Sequence, residues 1–172
     1  RMFYPDRREK SAYTIDYADL YRKGYRGVIF DIDNTLVPHG APATKEAAAF
    51  FASLRETGFS TCLLSNNQKP RVAPFADAVG SIYIENAHKP SVKNYQEACR
   101  RMGIKEEQAV FVGDQLFTDV YGAKRTGLYN ILTEPINPKE EIQIVLKRYL
   151  EHIVLFFYER DLARGRITKK NS

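Results

Sequence analysis

Phe30-Asp31-Ile32-Asp33-Asn34-Thr35-Leu36 sets two carboxylates two positions apart where an apolar run ends, with a hydroxyl two positions further on. Side chains of an extended chain alternate faces, so Asp31 and Asp33 can point the same way. Two acids crowded at a strand end repel each other unless a cation lies between them or one of them holds a proton, and either state is useful for catalysis. A strand closing in a polar turn, with Asp-Asn as turn formers and Thr as a cap, would explain the same letters without chemistry. The downstream sequence weighs against that plainer reading. Residues 60–65 read as a second buried strand closing on Ser65 and Asn66-Asn67, and residues 81–85 as a third, followed by Lys89 in His88-Lys89-Pro90. Residues 109–112 read as a fourth, running into Gly113-Asp114 and then Asp119. Taken singly, Ser65 is an ordinary cap, Lys89 an ordinary solvated side chain and Gly113-Asp114 an ordinary turn. Jointly, four strand ends carry Asp-x-Asp-x-Thr, Ser, Lys and Gly-Asp-x-x-x-x-Asp in that order.

With these residues the chain resembles the haloacid dehalogenase-like phosphohydrolases, and more narrowly their subfamily IIIA phosphatases, the group that includes the YqeG-like proteins. The resemblance runs from about residue 14 to residue 135. It implies that Asp31 is a nucleophile that becomes an aspartyl phosphate and that Asp33 is the general acid/base, lending its backbone carbonyl to Mg2+. It further implies metal ligation by Asp31 and Asp114 with support from Asp119, and phosphoryl oxygens held by Thr35, Ser65, Asn66 and Lys89. The chemistry accounts for the residue types. Phosphoryl transfer needs an in-line nucleophile and compensation for a dianion, so a carboxylate can attack only where a hard cation and a lysine offset the repulsion. Carboxylates, a carbonyl and water, with no thiolate or imidazole cluster, suit Mg2+.

The elements that position these residues alternate strand and helix, which predicts a parallel sheet covered on both faces. The expected fold is α/β, a Rossmann-like three-layer arrangement around a mostly parallel five-stranded sheet, with a C-terminal helix. Helices are expected over about 42–57, 70–79, 91–102 and 116–126, the third capped by Ser91 and stopped by Gly103, with a fifth strand at 128–132. Ligands in such sheets bind beyond the carboxyl ends of the strands, where every motif falls. Only 29 residues separate Thr35 from Ser65 and 23 separate Ser65 from Lys89, so a capless enzyme is expected. Its missing wall would come from a large substrate, a partner or a membrane surface. The short flap from Val37 to Ala43, with His39, is the local candidate.

The 172 residues, 44% of them hydrophobic, suit a single domain with a motif-bearing core over 14–135, a helix over 138–160 and a basic tail over 161–172. No apolar run approaches the ~18 residues of a membrane span and the start lacks a signal peptide's apolar stretch, so a cytoplasmic protein is expected, with peripheral membrane contact open. Cys62 and Cys99 read as small core or half-buried residues, not as a disulfide or metal pair. The net charge of +5 belongs to the ends: residues 1–26 and 139–172 each carry +3, and the centre carries −1. Tyr4, Tyr13, Tyr17, Tyr21 and Tyr25, interleaved with Arg and Lys, could suggest nucleic acid, but a helix capped by Thr14 and stopped by Gly24 that packs Tyr17 and Tyr21 inward explains most of them more simply. In the last helix Ile142, Val145, Leu146, Tyr149, Leu150, Ile153 and Phe157 fall at the spacing of a core-facing stripe. Ile153–Tyr158, apolar all round, suits a second copy in a homodimer or an anionic membrane surface, with Arg164, Arg166, Lys169 and Lys170 following.

A phospho-accepting signalling domain is the alternative from another class, since response-regulator receivers also place acids, a hydroxyl and a lysine on a parallel sheet. Receivers accept phosphate after the third strand and place the lysine after the fifth; here the third strand ends in Glu85-Asn86 and no lysine follows the fifth. A catalytically idle scaffold fits less well, because no motif position is substituted.

Overall fold

The computed structural model describes residues 2–163. Six strands, β1 (Arg7–Glu9), β2 (Gly27–Phe30), β3 (Ser60–Leu64), β4 (Ile82–Ile84), β5 (Ala109–Gly113) and β6 (Tyr129–Thr133), form one sheet in the order β1-β6-β5-β2-β3-β4. Every pairing is parallel. The sheet therefore has six strands, not the expected five. The additional strand, Arg-Arg-Glu, lies at an edge where one neighbour suffices and no face demands apolar side chains, so hydrophobic patterning could not reveal it.

The apolar runs of β2, β3 and β5 are buried on both faces, as a parallel sheet under helices requires. Val28, Phe30, Leu63, Val110 and Val112 pack on one face with side chains of α1 (Tyr17–Arg22), α2 (Lys45–Thr57) and α3 (Lys69–Val79). Ile29, Cys62, Leu64 and Phe111 pack on the other with α4 (Val92–Met102) and α5 (Tyr121–Thr126). Phe30, Phe51, Phe75 and Phe111 are buried, each contributing roughly 1.5–3 kcal/mol by leaving water. Cys62 and Cys99 are buried free thiols within this packing.

Helix boundaries follow local chemistry. The first helix is capped by Asp16, whose Oδ1 accepts from Asp19 N at 2.9 Å, rather than by Thr14, which closes a 3-10 turn over Ala12–Thr14. Helix α2 begins three residues after Pro42, where the Thr44 hydroxyl accepts from Ala47 N at 3.0 Å. Gly58, Gly80, Gly103 and Gly127 end α2 to α5 in the left-handed region, where a Cβ would be strained. The expected helix over 116–126 is two pieces, a π turn over Leu116–Val120 and then α5. A wide π turn inside a helix commonly marks a functional site.

The chain divides into two compact units at Asn137/Pro138. The second contains helix α6, Pro138–Ala163. Ile142, Leu146, Tyr149, Leu150, Ile153 and Phe157, at the spacing of an apolar stripe, are exposed, as are Val154, Leu155, Phe156 and Tyr158. The apolar residues encircle the helix over that stretch, so periodicity could not single out one inward face. The Val145 side chain and the basic tail from Arg164 onward lie outside the described residues. No helix among the described residues is long and apolar enough to cross a membrane.

Candidate active site

The carboxyl ends of β2, β3 and β5 and the loop after β4 bring the motif residues to one edge of the sheet. Asp31 follows β2 directly, and its backbone N–H donates to Val112 O at 3.0 Å, extending the ladder with β5 by one residue. Ser65 follows β3 and is buried; its N–H donates to Ile84 O at 3.1 Å and its hydroxyl accepts from Asn67 N at 3.1 Å. Asp114 follows β5, and the Thr35 hydroxyl donates to its Oδ1 at 3.1 Å.

Lys89 is the hub. Its ammonium, almost fully buried, donates to Asp31 Oδ1 and to Asp119 Oδ1, each at 2.7 Å. Burial alone would pull this lysine down, but Asp119 and Asp31 outweigh burial and hold it well above its ordinary range. Asp119 is pushed up to about 6, chiefly by burial and by the neighbouring Asp31 carboxylate, against the pull of Lys89. Lys89 therefore stays charged, and Asp119 takes up a proton before an ordinary aspartate does. The Asn66 amide fixes the backbone of this lysine: Oδ1 accepts from Lys89 N at 2.7 Å and Nδ2 donates to Lys89 O at 3.5 Å. Asn66 thus spends its side chain on placing Lys89.

Asp119 projects from the π turn, which Tyr95 pins from α4 by donating its hydroxyl to Thr118 O at 2.8 Å. The Asp119 Oδ2 accepts from Gln115 N at 3.1 Å. Carboxylate oxygens of Asp31, Asp114 and Asp119 lie within 4.8 Å of one another. Three carboxylates gathered around one ammonium offer several hard oxygen donors in one place, a set that fits a divalent cation.

Gly113 makes this arrangement possible. A Cβ built there would stand 2.4 Å from Asp119 Oδ2 and 2.9 Å from its Cβ. Gly113→Ala must therefore push Asp119 off Lys89 and Gln115, and overpacking of this kind costs about 1–3 kcal/mol. We expect a lower urea midpoint together with weaker divalent-cation binding; an unchanged midpoint and unchanged cation affinity would show that the turn adapts freely.

Asp33 stands apart from this cluster and is buried in donors of its own. Its Oδ1 accepts from Gly40 N at 2.8 Å and Arg71 Nη2 at 2.9 Å, and its Oδ2 from Asn67 Nδ2 at 2.6 Å. His39 Nδ1 lies 3.9 Å from Oδ1. The flap residue His39 thus reaches the site edge. Asn67 and Arg71 were not singled out by the sequence. One signal was present: α3 opens with Lys69 and Arg71 and no acid in its first turn, where the helix dipole disfavours cations, so an outside anion was to be expected.

Residues 40–127 match the family described as haloacid dehalogenase-like hydrolase. The chain is 34% identical over 161 residues to the protein named Probable phosphatase YqeG of Bacillus subtilis, covering 93% of this chain and 94% of that one. It is 29% identical over 161 residues to the chloroplastic/mitochondrial Phosphatidylglycerophosphate phosphatase 1 of Arabidopsis thaliana, covering 88% of this chain but only 46% of that longer protein. In fold it is similar to a crystal structure of a protein from Listeria monocytogenes serotype 4b, with a TM-score of 0.54, 19% identity and coverage of 66% of this chain and 80% of the other. The chain belongs to the haloacid dehalogenase-like hydrolases.

Proposed function

We propose that the protein is a Mg2+-dependent phosphomonoester phosphatase acting through an aspartyl phosphate on Asp31. The observation that carries this reading is the single buried ammonium of Lys89, shared by Asp31 and Asp119 beside Asp114. In the proposed reaction an Asp31 oxygen attacks phosphorus, the bond to the leaving oxygen breaks, and that oxygen takes a proton from Asp33. Water then attacks the phosphoenzyme as Asp33 takes its proton, the Asp31–phosphorus bond breaks, and inorganic phosphate leaves. In this reading Lys89 and Ser65 donate to phosphoryl oxygens, Thr35 joins them if its hydroxyl turns from Asp114, and Asn66 acts through the Lys89 backbone. A Mg2+ held by Asp31, Asp114 and the Asp33 carbonyl, with Asp119 behind them, would neutralise phosphoryl charge. Membership in a hydrolase family, with a second acid at Asp33, favours turnover over storage of the phosphoryl group as in a signalling domain.

The segment between Thr35 and Ser65 contains the flap, α2 and β3, and that between Ser65 and Lys89 contains α3 and β4, which supports a capless enzyme. The exposed apolar side chains of α6, and the likeness to a protein named for phosphatidylglycerophosphate, support a lipid phosphomonoester as substrate and a membrane surface as the place of action. A homodimer through α6 is the competing use of those side chains.

The test is phosphate release from lipid and soluble phosphomonoesters across a Mg2+ titration. Asp114→Ala is expected to raise the Mg2+ concentration for half-maximal rate at least ~10-fold, because a hard cation held by few carboxylates depends on each of them. Mg2+ should also raise the wild-type melting temperature more than that of the variant. Full activity in EDTA would overturn the metal assignment.

A further inference from the structure

We propose that Arg71 is a latch on Asp33 that a second anionic group of the substrate releases, making the enzyme selective for phosphomonoesters with an additional negative charge. This rests on the phosphatase reading above and concerns the same site.

Asp33 is held in position by its donors. Both of its oxygens are engaged, by Gly40 N, Arg71 Nη2 and Asn67 Nδ2, and each of those partners donates to it. These bonds fix the orientation of the carboxyl, and turning it toward a leaving oxygen costs at least one of them. The backbone donor of Gly40 and the short amide bond of Asn67 belong to turns beside the strand ends, whereas Arg71 is a long side chain with several rotatable bonds, and its guanidinium is the partner that can leave.

Arg71 is also poorly satisfied where it stands. Among the described residues its guanidinium donates to Asp33 alone, through one nitrogen, and Nε is buried with no hydrogen-bond partner. A guanidinium has five N–H groups in a planar fork, and its strong partners are carboxylates or phosphates that meet two of them at once. One bond to Asp33 leaves most of that capacity unused. A phosphate diester or carboxylate carried by the substrate, meeting the fork with two oxygens, would outcompete a single Asp33 oxygen. The exchange moves the cation from the acid/base to the substrate and frees the Asp33 carboxyl, so recognition and activation become one event.

Charge balance agrees. Lys89 is committed to Asp31 and Asp119, so it has no charge left for a distal anion. Arg71 is paired with Asp33, and its side chain is only partly exposed, at the rim rather than in the solvent. The cations at the start of α3 oppose the helix dipole and gain by an incoming anion as they now gain from Asp33.

The experiment compares 3-phosphoglycerate with glycerol 3-phosphate, two phosphomonoesters on a three-carbon skeleton that differ by a carboxylate. Wild type is expected to favour 3-phosphoglycerate in kcat/KM by at least ~10-fold, the scale of a hydrogen bond to a charged group. In Arg71→Gln that ratio should fall to near one, mainly through a higher KM for 3-phosphoglycerate, while kcat on glycerol 3-phosphate rises because Asp33 is no longer held. Arg71→Lys, which keeps the charge but loses the fork, should restore part of the preference. Melting temperatures of both variants within a few degrees of wild type exclude misfolding as the cause. An unchanged ratio, or an equal loss on both substrates without a shift in KM, would reduce Arg71 to a brace and overturn the latch. Hydrolysis of both substrates without preference by wild type would overturn the latch alone. Hydrolysis of a lipid phosphomonoester but of neither three-carbon ester would overturn the latch alone, and Mg2+-dependent release of phosphate from none of them would remove it together with the phosphatase reading it stands on.

Discussion

Asp31→Asn is expected to lower kcat by at least ~10³-fold, because an amide cannot replace the attacking carboxylate and the covalent step is lost. The side chain lies at the end of the central strand β2, with its backbone tied to β5 and its carboxylate to Lys89, so the substitution changes charge without changing volume. Lys89 would still face Asp119, and the buried pair would survive. The fold should therefore tolerate the variant, and a melting temperature close to wild type separates lost chemistry from lost structure. Acid-quenched reactions with radiolabelled substrate should show protein-bound phosphate in wild type and none in the variant. Normal turnover by the variant would remove Asp31 from the mechanism.

Asp33→Asn is expected to slow hydrolysis of an alkyl phosphate by ~10²- to 10⁴-fold, the range of general acid–base catalysis. An aryl phosphate with a good leaving group needs less protonation, so its first step should be less affected than the release of phosphate from Asp31. Phosphoenzyme should then accumulate with the aryl substrate. The amide also supplies one acceptor oxygen where Gly40, Asn67 and Arg71 now share two, so the flap around His39 should loosen, visible as faster hydrogen exchange at Gly40. Equal slowing for all leaving groups, with no trapped intermediate, would argue against the acid/base role.

The central strands were legible in the sequence because each is a short apolar run bounded by turn residues, and burial on both faces leaves no other explanation for them. The charged residues closing those runs were legible for the same reason: a buried strand that ends in Asp, Ser or Gly-Asp breaks its own pattern. Strand β1 was not legible, since an edge strand of Arg-Arg-Glu owes its conformation to hydrogen bonds with β6, which leave no periodicity behind. Asn67 and Arg71 were hidden differently. Their partner Asp33 is more than thirty positions away, and although the acid-free start of α3 calls for an anion, nothing local says which one answers it. Asn66 reads from sequence as a phosphate donor by its place after Ser65, yet its amide reaches the Lys89 backbone, a pairing that only the loop geometry defines.

The sheet order brings the two ends of the core together. Arg7 to Glu9 pair with Ile131 to Thr133, and Asp6 bonds Asn130 across 124 residues of chain. During synthesis, β1 emerges first and waits for almost the entire core before its partner exists. Until that pairing forms, the outer edge of β6 lacks its neighbour, and the strand that finally covers it carries enough charge to discourage a foreign strand from pairing beyond it. Arg7 to Glu9 thus act as a closure that can be applied only once β6 exists, which ties completion of the sheet to synthesis through residue 133.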